Sequence, residues 1–274
     1  MEVCAITGST GVLGKKIKKL LPFRFYEFKG DITNFKEVLK WIENKDFKLL
    51  IHLAAKVPTK EVDQNFSYSL KVNYVGTKNI VKALKIKKNK PKWVFFSSTS
   101  HVYKIRYKNN KIKENSKIDP SSKYGSTKRK AELEILKLKT NKIKVCIGRI
   151  FSFTDLKQKL PYVVPSIIKK IKNSKKKVIT LKNINHYRDF ISTNLICKII
   201  QKLYYYKSNG IYNIGSGQSI NIKQIARLVA KKYNKKVNFL DNKNATYLIS
   251  NNSKILKKNI KFKRFSNNLN YFYK

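Results

Sequence analysis

Short, mostly apolar runs alternate with helical spacing through the first half of the chain. Val3–Thr7, Phe23–Phe28, Leu49–Leu53, Trp93–Ser97 and Lys144–Ile150 have the length and content of strands covered on both faces. Between them, Val12–Leu21, Lys36–Glu43, Val72–Leu84 and Ser126–Leu138 place apolar residues three or four apart, the spacing of amphipathic helices. Strands and helices in strict alternation predict a parallel sheet with right-handed crossovers, an α/β doubly wound domain. From about Phe153 the rhythm becomes irregular. Pro161 and Pro165 flank one helix start, and Ile220–Tyr233 is a further amphipathic helix. The expected division is a sheet domain over residues 1–155 with a returning segment at about 178–205. The stretches 156–177 and 206–274 then form a smaller mixed α/β lobe.

Composition changes this picture little. With 274 residues and 42% hydrophobic content the chain can bury a core. The three cysteines, Cys4, Cys146 and Cys197, are far apart in apolar surroundings, as expected for reduced core thiols of a cytoplasmic protein. The sequence shows neither a signal-peptide pattern at its start nor an apolar run of the ~20 residues a membrane span needs. The formal charge of +47 raises the question of nucleic acid. Lysines, however, occupy almost every polar face, and arginine, suited to bidentate base and phosphate contacts, is scarce. The expectation is solvated surface charge, no nucleic acid and no membrane.

Residues 7 to 14 read TGSTGVLG, directly after the first strand and opening a helix. Gly8 suits a tight turn, Gly11 a close approach of backbone to a pyrophosphate, and Gly14 close packing of helix on strand. The helix N-terminus adds free N–H groups and a positive dipole for phosphates. The loop therefore predicts a dinucleotide site in a Rossmann domain. Another short stretch, KYGSTK, sets Tyr124 and Lys128 four apart, on one face of a helix. A free tyrosine, with a pKa of about 10, is a poor base at neutral pH. A neighbouring ammonium favours its phenolate.

TGSTGVLG, GDITN, HLAA, VNYVGT, FFSSTSHVY, YGSTK and YNIGSG follow one another in this order over almost the whole chain. Together they resemble the extended short-chain dehydrogenase/reductase family, the NAD-dependent epimerase/dehydratase group that acts mostly on nucleotide sugars. The resemblance implies catalytic Tyr124 and Lys128, with Thr99 binding the sugar oxygen that gains or loses the hydride and Ser98 the runner-up for that role. For the cofactor it implies Gly8, Thr10, Gly11, Val12, Leu13 and Gly14 of the loop, Asp31 and Ile32 near the adenine, and Leu53, Ala54, Ala55 and Lys56 at a strand end. Asn73 and Phe151 are implied cofactor neighbours as well, together with Tyr124 and Lys128 themselves. Glu27 is the candidate for the ribose hydroxyls, with Arg24 or Lys29 as the alternative that accepts a 2′-phosphate. The cofactor is thus NAD or NADP, with NAD placed first. Arg188 in HYRDF resembles the arginine that grips the sugar-nucleotide diphosphate, an Arg–Asp salt bridge being the alternative. Ser152 stands where the family has an asparagine contacting substrate.

In the dehydratases of this group an acidic pair follows the catalytic threonine; here the places hold Ser100 and His101. The expected reaction is therefore reduction of a 4-keto(-6-deoxy) sugar nucleotide. The compact chain and short second-strand region look most like the dTDP-4-dehydrorhamnose reductase branch. A nucleotide-sugar 4-epimerase is the alternative, and a non-catalytic dinucleotide-binding or nucleic-acid-binding protein the outside alternative. The resemblance also implies a homodimer.

Overall fold

The structure, a computed structural model, describes residues 1–57, 59–155 and 157–262. The stretch 263–274, assigned from the sequence to the smaller lobe, lies outside the described residues.

The first half runs β1 (Val3–Thr7), α1 (Val12–Leu20), β2 (Arg24–Glu27), α2 (Phe35–Glu43) and β3 (Leu49–His52). Helices α3 (Thr59–Gln64), α4 (Phe66–Leu70) and α5 (Gly76–Ile86) lead to β4 (Trp93–Thr99). Then come α6 (Lys123–Leu136) and β5 (Lys144–Ile150). The second half contains β6 (Ser152–Thr154), α7 (Val163–Asn173), β7 (Val178–Lys182), β8 (His186–Arg188), β9 (Phe190–Ser192), α8 (Thr193–Tyr205) and β10 (Gly210–Ile214). It ends with β11 (Ile220–Asn221), α9 (Ile222–Lys232), β12 (Lys236–Leu240), β13 (Thr246–Leu248) and α10 (Ser253–Leu256).

Six parallel strands form the main sheet in the order β10-β5-β4-β3-β1-β2. Alternate residues of each strand enter opposite layers, as the two-residue repeat requires. Cys4, Ile6, Leu49 and Phe95 pack with Ile17 of α1 and Ile196, Ile200 and Leu203 of α8. Ala5, Leu50, Val94 and Phe96 pack with α2, α5 and α6 through Val38, Ile80, Leu84 and Ile135. A separate core joins α7 and α9 to β7 and β9 through Val164, Ile167, Ile179 and Ile225. The α/β expectation is met, and the order reverses beside β1, where an open sheet of this kind leaves a crevice at its carboxyl edge.

Two expectations need correction. The strand returning to the main sheet is β10 at 210–214, and not part of 178–205. Within that range α8 does pack on the sheet, but β7 pairs with β12 in a small separate sheet. The reason is visible in VITLK, whose residues alternate exposed and buried, whereas the main-sheet strands β3 and β4 are buried almost throughout. The helix expected at Val72–Leu84 is also more broken: Lys71–Val75 form one wide π turn between α4 and α5. Such turns often mark functional positions.

Candidate functional site

The loop after β1 is shaped by what its glycines lack. Gly8 has a φ of +69°, and a Cβ there would lie 2.6 Å from the Ala54 nitrogen. At Gly14 a Cβ would run into the Gly8 carbonyl and the Ser9 backbone. Gly11 differs: a Cβ there would touch nothing nearer than the Gly8 oxygen at 3.4 Å. The space beside it is open cleft, and Gly11 caps α1 with no side-chain hydrogen bond, so the first N–H groups of the helix are not occupied by a cap side chain. That arrangement fits a pyrophosphate.

The cleft, about 1400 Å³, extends from this loop along the carboxyl ends of the strands to α7 and β8. Nearly every residue proposed from the sequence lines it: the loop residues, Glu27, Asp31, Ile32, Leu53 to Lys56, Thr99, Tyr124, Phe151, Ser152 and Arg188. Asn73 and Lys128 do not. The Asn73 side chain is closed onto protein, accepting from Lys56 N at 2.7 Å and donating to Lys56 O and Thr127 Oγ1, both at 2.9 Å. It braces the cleft wall from behind. Lys128 is only 2% exposed, and its Nζ sits 4.2 Å above the Phe96 ring. Neither displacement could be read from sequence, because each follows from which neighbours fill the layer beneath.

Strand β4 delivers Thr99 to the middle of the cleft, and the first turn of α6 delivers Tyr124, capped by Ser122. Both side chains line the cleft. Burial pushes the Tyr124 phenol up, opposed by the Thr99 hydrogen bond and reinforced by Tyr162. The expected lowering of its pKa by Lys128 is therefore not what the protein chain alone produces; desolvation dominates. Lys128 is itself pushed down to about 7, by burial first, with Glu132 acting in the opposite sense.

His101 stands beside them, its ring 5.9 Å from that of Tyr124 in an edge-to-face arrangement. Burial, and then the charge of Arg188, lower its pKa to about 4, so the imidazole is neutral at pH 7. Among the described residues neither ring nitrogen has a protein hydrogen-bond partner, and the side chain lines the cleft. Sequence reasoning noted His101 only as the absence of an acid. It missed Tyr162, Gln158 and Glu61 altogether, which join the cleft from the N-cap of α7, the segment before it and α3. The proline-flanked start at PYVVP was the one available signal for Tyr162.

Glu27 ends β2 and accepts from Lys18 Nζ at 2.8 Å; hydrogen bonds from Lys18 and then Ser9 hold its carboxyl below the usual range. Asp31 accepts from the Thr33 amide and hydroxyl, while Asn34, and not Asp31, caps α2. His52, by contrast, is a sealed core residue, bonded to Thr7 at 2.6 Å and Thr77 at 3.0 Å and pushed down to about 3 by burial.

The HYRDF stretch resolves into two separate tasks. Asp189 is fully buried and accepts from Ser216, Gly217 and Ser250, fixing the loop after β10. Arg188 points the other way, donating to Tyr187 O and Thr246 O at 2.8 and 2.9 Å. Burial lowers its pKa to about 10. Among the described residues no carboxylate pairs with Arg188, so the salt-bridge alternative fails and the cation faces the cleft.

A family model described as GDP-mannose 4,6 dehydratase matches residues 7–271. The chain belongs to this family. It is thereby a member of the extended short-chain dehydrogenases/reductases, an enzyme family, as the ordered motifs implied. GDP-6-deoxy-D-talose 4-dehydrogenase of Aggregatibacter actinomycetemcomitans is 28% identical over 235 residues, 82% of this chain and 78% of that protein. GDP-6-deoxy-D-mannose reductase of Pseudomonas aeruginosa is 24% identical over 243 residues, with the same coverage. Among solved structures, RMD from Pseudomonas aeruginosa complexed with NADPH superposes with a TM-score of 0.83 at 19% identity, covering 97% of this chain and 95% of that one. At that identity the last likeness concerns the fold. Among the described residues no helix is long and apolar enough to cross a membrane.

Proposed function

We propose that this family member is an NAD(P)-dependent oxidoreductase that reduces a 4-keto(-6-deoxy) nucleotide sugar, with Tyr124 as proton donor. The observation that carries the proposal is the buried phenol of Tyr124, which lines the cleft together with Thr99 and is held in its protonated form by burial. The two relatives named for GDP-linked sugars support a GDP-linked substrate over the dTDP-linked one that the motifs alone suggested.

A nicotinamide dinucleotide, when bound, would supply the hydride. Gly8 to Gly14 and the α1 N-terminus would hold its phosphates, Glu27 its ribose hydroxyls, and Asp31 and Ile32 its adenine. The carboxylate at Glu27 supports NAD, and Lys29 nearby is the group that a 2′-phosphate would use. Thr99 and Tyr124 bind the keto oxygen. As the carbon gains hydride, the carbonyl π electrons move onto oxygen, and the Tyr124 proton follows them. The phenolate left behind is stabilised by the Lys128 ammonium and is reprotonated from solvent. His101 contributes a neutral donor and acceptor to the sugar, and Arg188 a cation to the diphosphate. The places that hold acids in the dehydratases hold Ser100 and His101, which supports reduction over loss of water.

Residues 1–155 with β10 and α8 form the dinucleotide-binding part in this reading, and α7, α9 and their strands the substrate part. The reading includes a cytoplasmic homodimer. Its support is three buried free cysteines, for the compartment, and Leu133 of α6 left 49% exposed, for the dimer.

The test is oxidation of NADH or NADPH by a GDP-4-keto-6-deoxyhexose, followed at 340 nm, with the dTDP-linked sugar in parallel. Consumption of reduced cofactor is expected. A tightly held NAD and no net consumption would replace the reductase by the 4-epimerase.

A further inference from the structure

We propose that Glu132 is a positioning residue for the reaction: a single buried carboxylate that locks the ends of β4 and β5 to α6 and supplies the counter-charge of Lys128. The inference rests on the reductase reading above, because it concerns the lysine that this reading requires to be charged.

The geometry is a node. Glu132 is fully buried. Its Oε1 accepts from Ser98 Oγ at 2.6 Å and Arg149 Nε at 2.8 Å; its Oε2 accepts from Arg149 Nη2 at 2.8 Å and Arg129 Nη1 at 3.0 Å. Ser98 immediately precedes Thr99 on β4. Arg149 lies two residues before Phe151, at the end of β5, and is held in turn by the Glu114 carbonyl and the Tyr103 ring. One carboxylate thus ties the strand that presents Thr99, the strand that leads to Phe151 and Ser152, and the helix that carries Tyr124. A node with four donors has one rigid solution, which is what positioned catalytic groups need.

The second task is electrostatic. Lys128 is one helical turn before Glu132, buried, and has an aromatic face beneath its ammonium. Among the described residues the groups around it offer no other anion. His52 on β3 and Tyr124 on α6 are both held neutral by burial, Arg149 on β5 and Arg129 on α6 are cations, and Ser98 on β4 and Asn73 on the π turn are uncharged. Lys56, at the cleft wall, is turned onto the Tyr68 ring. Glu61 of α3 acts on Tyr162 instead. Burial acts first and upward on Glu132, but Arg149, Ser98 and Arg129 together bring its carboxyl below the ordinary value. It therefore remains anionic where Lys128 needs it. With burial pushing Lys128 down to about 7, Glu132 is what keeps its ammonium from falling further.

A purely structural role and this one differ in their response to pH. Lys128 works as a cation, so activity falls as pH rises through its pKa. In Glu132→Gln that alkaline limb should move at least one pH unit lower, giving a tenfold or greater loss at pH 8 that is recovered at pH 6. Ser98→Ala, which removes a tie but keeps the charge, should leave the limb where it is. Because Glu132→Gln strands a buried guanidinium, Glu132→Gln/Arg149→Met serves as the folding-tolerant variant, and its limb should also move down. A uniform loss across pH in both Glu132 variants would overturn the proposal. A readout without turnover separates it from the reductase reading. The folded Lys128 titrates near 7 and its free counterpart near 10.5, so the unfolded chain holds the extra proton between them and stability rises with pH across that window. Loss of this rise in Lys128→Met, and its earlier onset in Glu132→Gln, support the role even if no keto sugar is reduced. An onset unchanged by Glu132→Gln overturns it.

Discussion

The glycine loop and the Glu132 node occupy the same edge of the sheet and are built on opposite principles. The loop works by omission: no Cβ at Gly8 lets the turn meet Ala54, and none at Gly11 leaves the cleft open. The node works by convergence of three side chains from β4, β5 and α6, through four hydrogen bonds, on one carboxylate. Omission is local, and eight consecutive residues define it. Convergence depends on residues up to 51 apart in the chain, Ser98 to Arg149, and exists only once the strands are paired. Such a local device can be altered at its open position, Gly11, with little cost to the fold, though not at Gly8 or Gly14. A convergent one transmits any change to all of its members.

The comparison can be broken most sharply at Tyr124, on the helix that the node holds. Tyr124→Phe removes the proton donor and should lower turnover by a factor of about 10² to 10⁴, with dinucleotide affinity nearly unchanged. Retained activity would dismiss the acid assignment and leave the node without a task. At the loop, Gly11→Val should weaken dinucleotide binding by about 100-fold, read by quenching of NADH fluorescence, because the new side chain occupies the phosphate space. Its melting temperature should stay within a few degrees of the parent, since the added atoms meet almost no protein. A large drop in melting temperature would show the loop to be as coupled as the node.

Arg188→Met probes the far end of the cleft. A charge-assisted contact to a diphosphate is worth about 1.5–3 kcal/mol, so KM for the nucleotide sugar should rise roughly ten- to 100-fold with kcat little affected. The smallest effect is on stability toward acid. His101 titrates near 4 in the folded protein and His52 near 3, against 6.5 when exposed. Between those values the unfolded chain binds the extra protons, so stability is present above pH 6.5 and is lost on acidification toward 4. Melting temperatures at pH 7, 5.5 and 4 should fall in that order, and His101→Asn should flatten part of the decline.

Much of this protein is legible in its sequence. Continuous apolar strands alternating with amphipathic helices predicted the parallel sheet, and β1, α1, β3, β4 and β5 lie where the pattern put them. The second half was harder, because its strands are short and half-exposed, and alternation in VITLK carries no statement of which sheet it joins. GIYNI, with a tyrosine and an asparagine among five residues, did not look like the sixth strand of a buried sheet. In the site, residues that act through backbone or position were readable: the glycine loop, Thr99, Tyr124 and Arg188 all reach the cleft.

What the sequence determined by itself was the set of short-range devices: strand and helix periods, the loop with its three glycines, and a tyrosine one helical turn from a lysine. These depend on spacing along the chain, which folding leaves intact. Tertiary structure alone decided that Asn73 braces the wall, that Lys128 lies over the Phe96 ring, that Arg188 and Asp189 face opposite ways, and that burial outweighs charge at Tyr124. Each of those outcomes is set by desolvation and by partners distant in sequence, and both come into being only when the layers close.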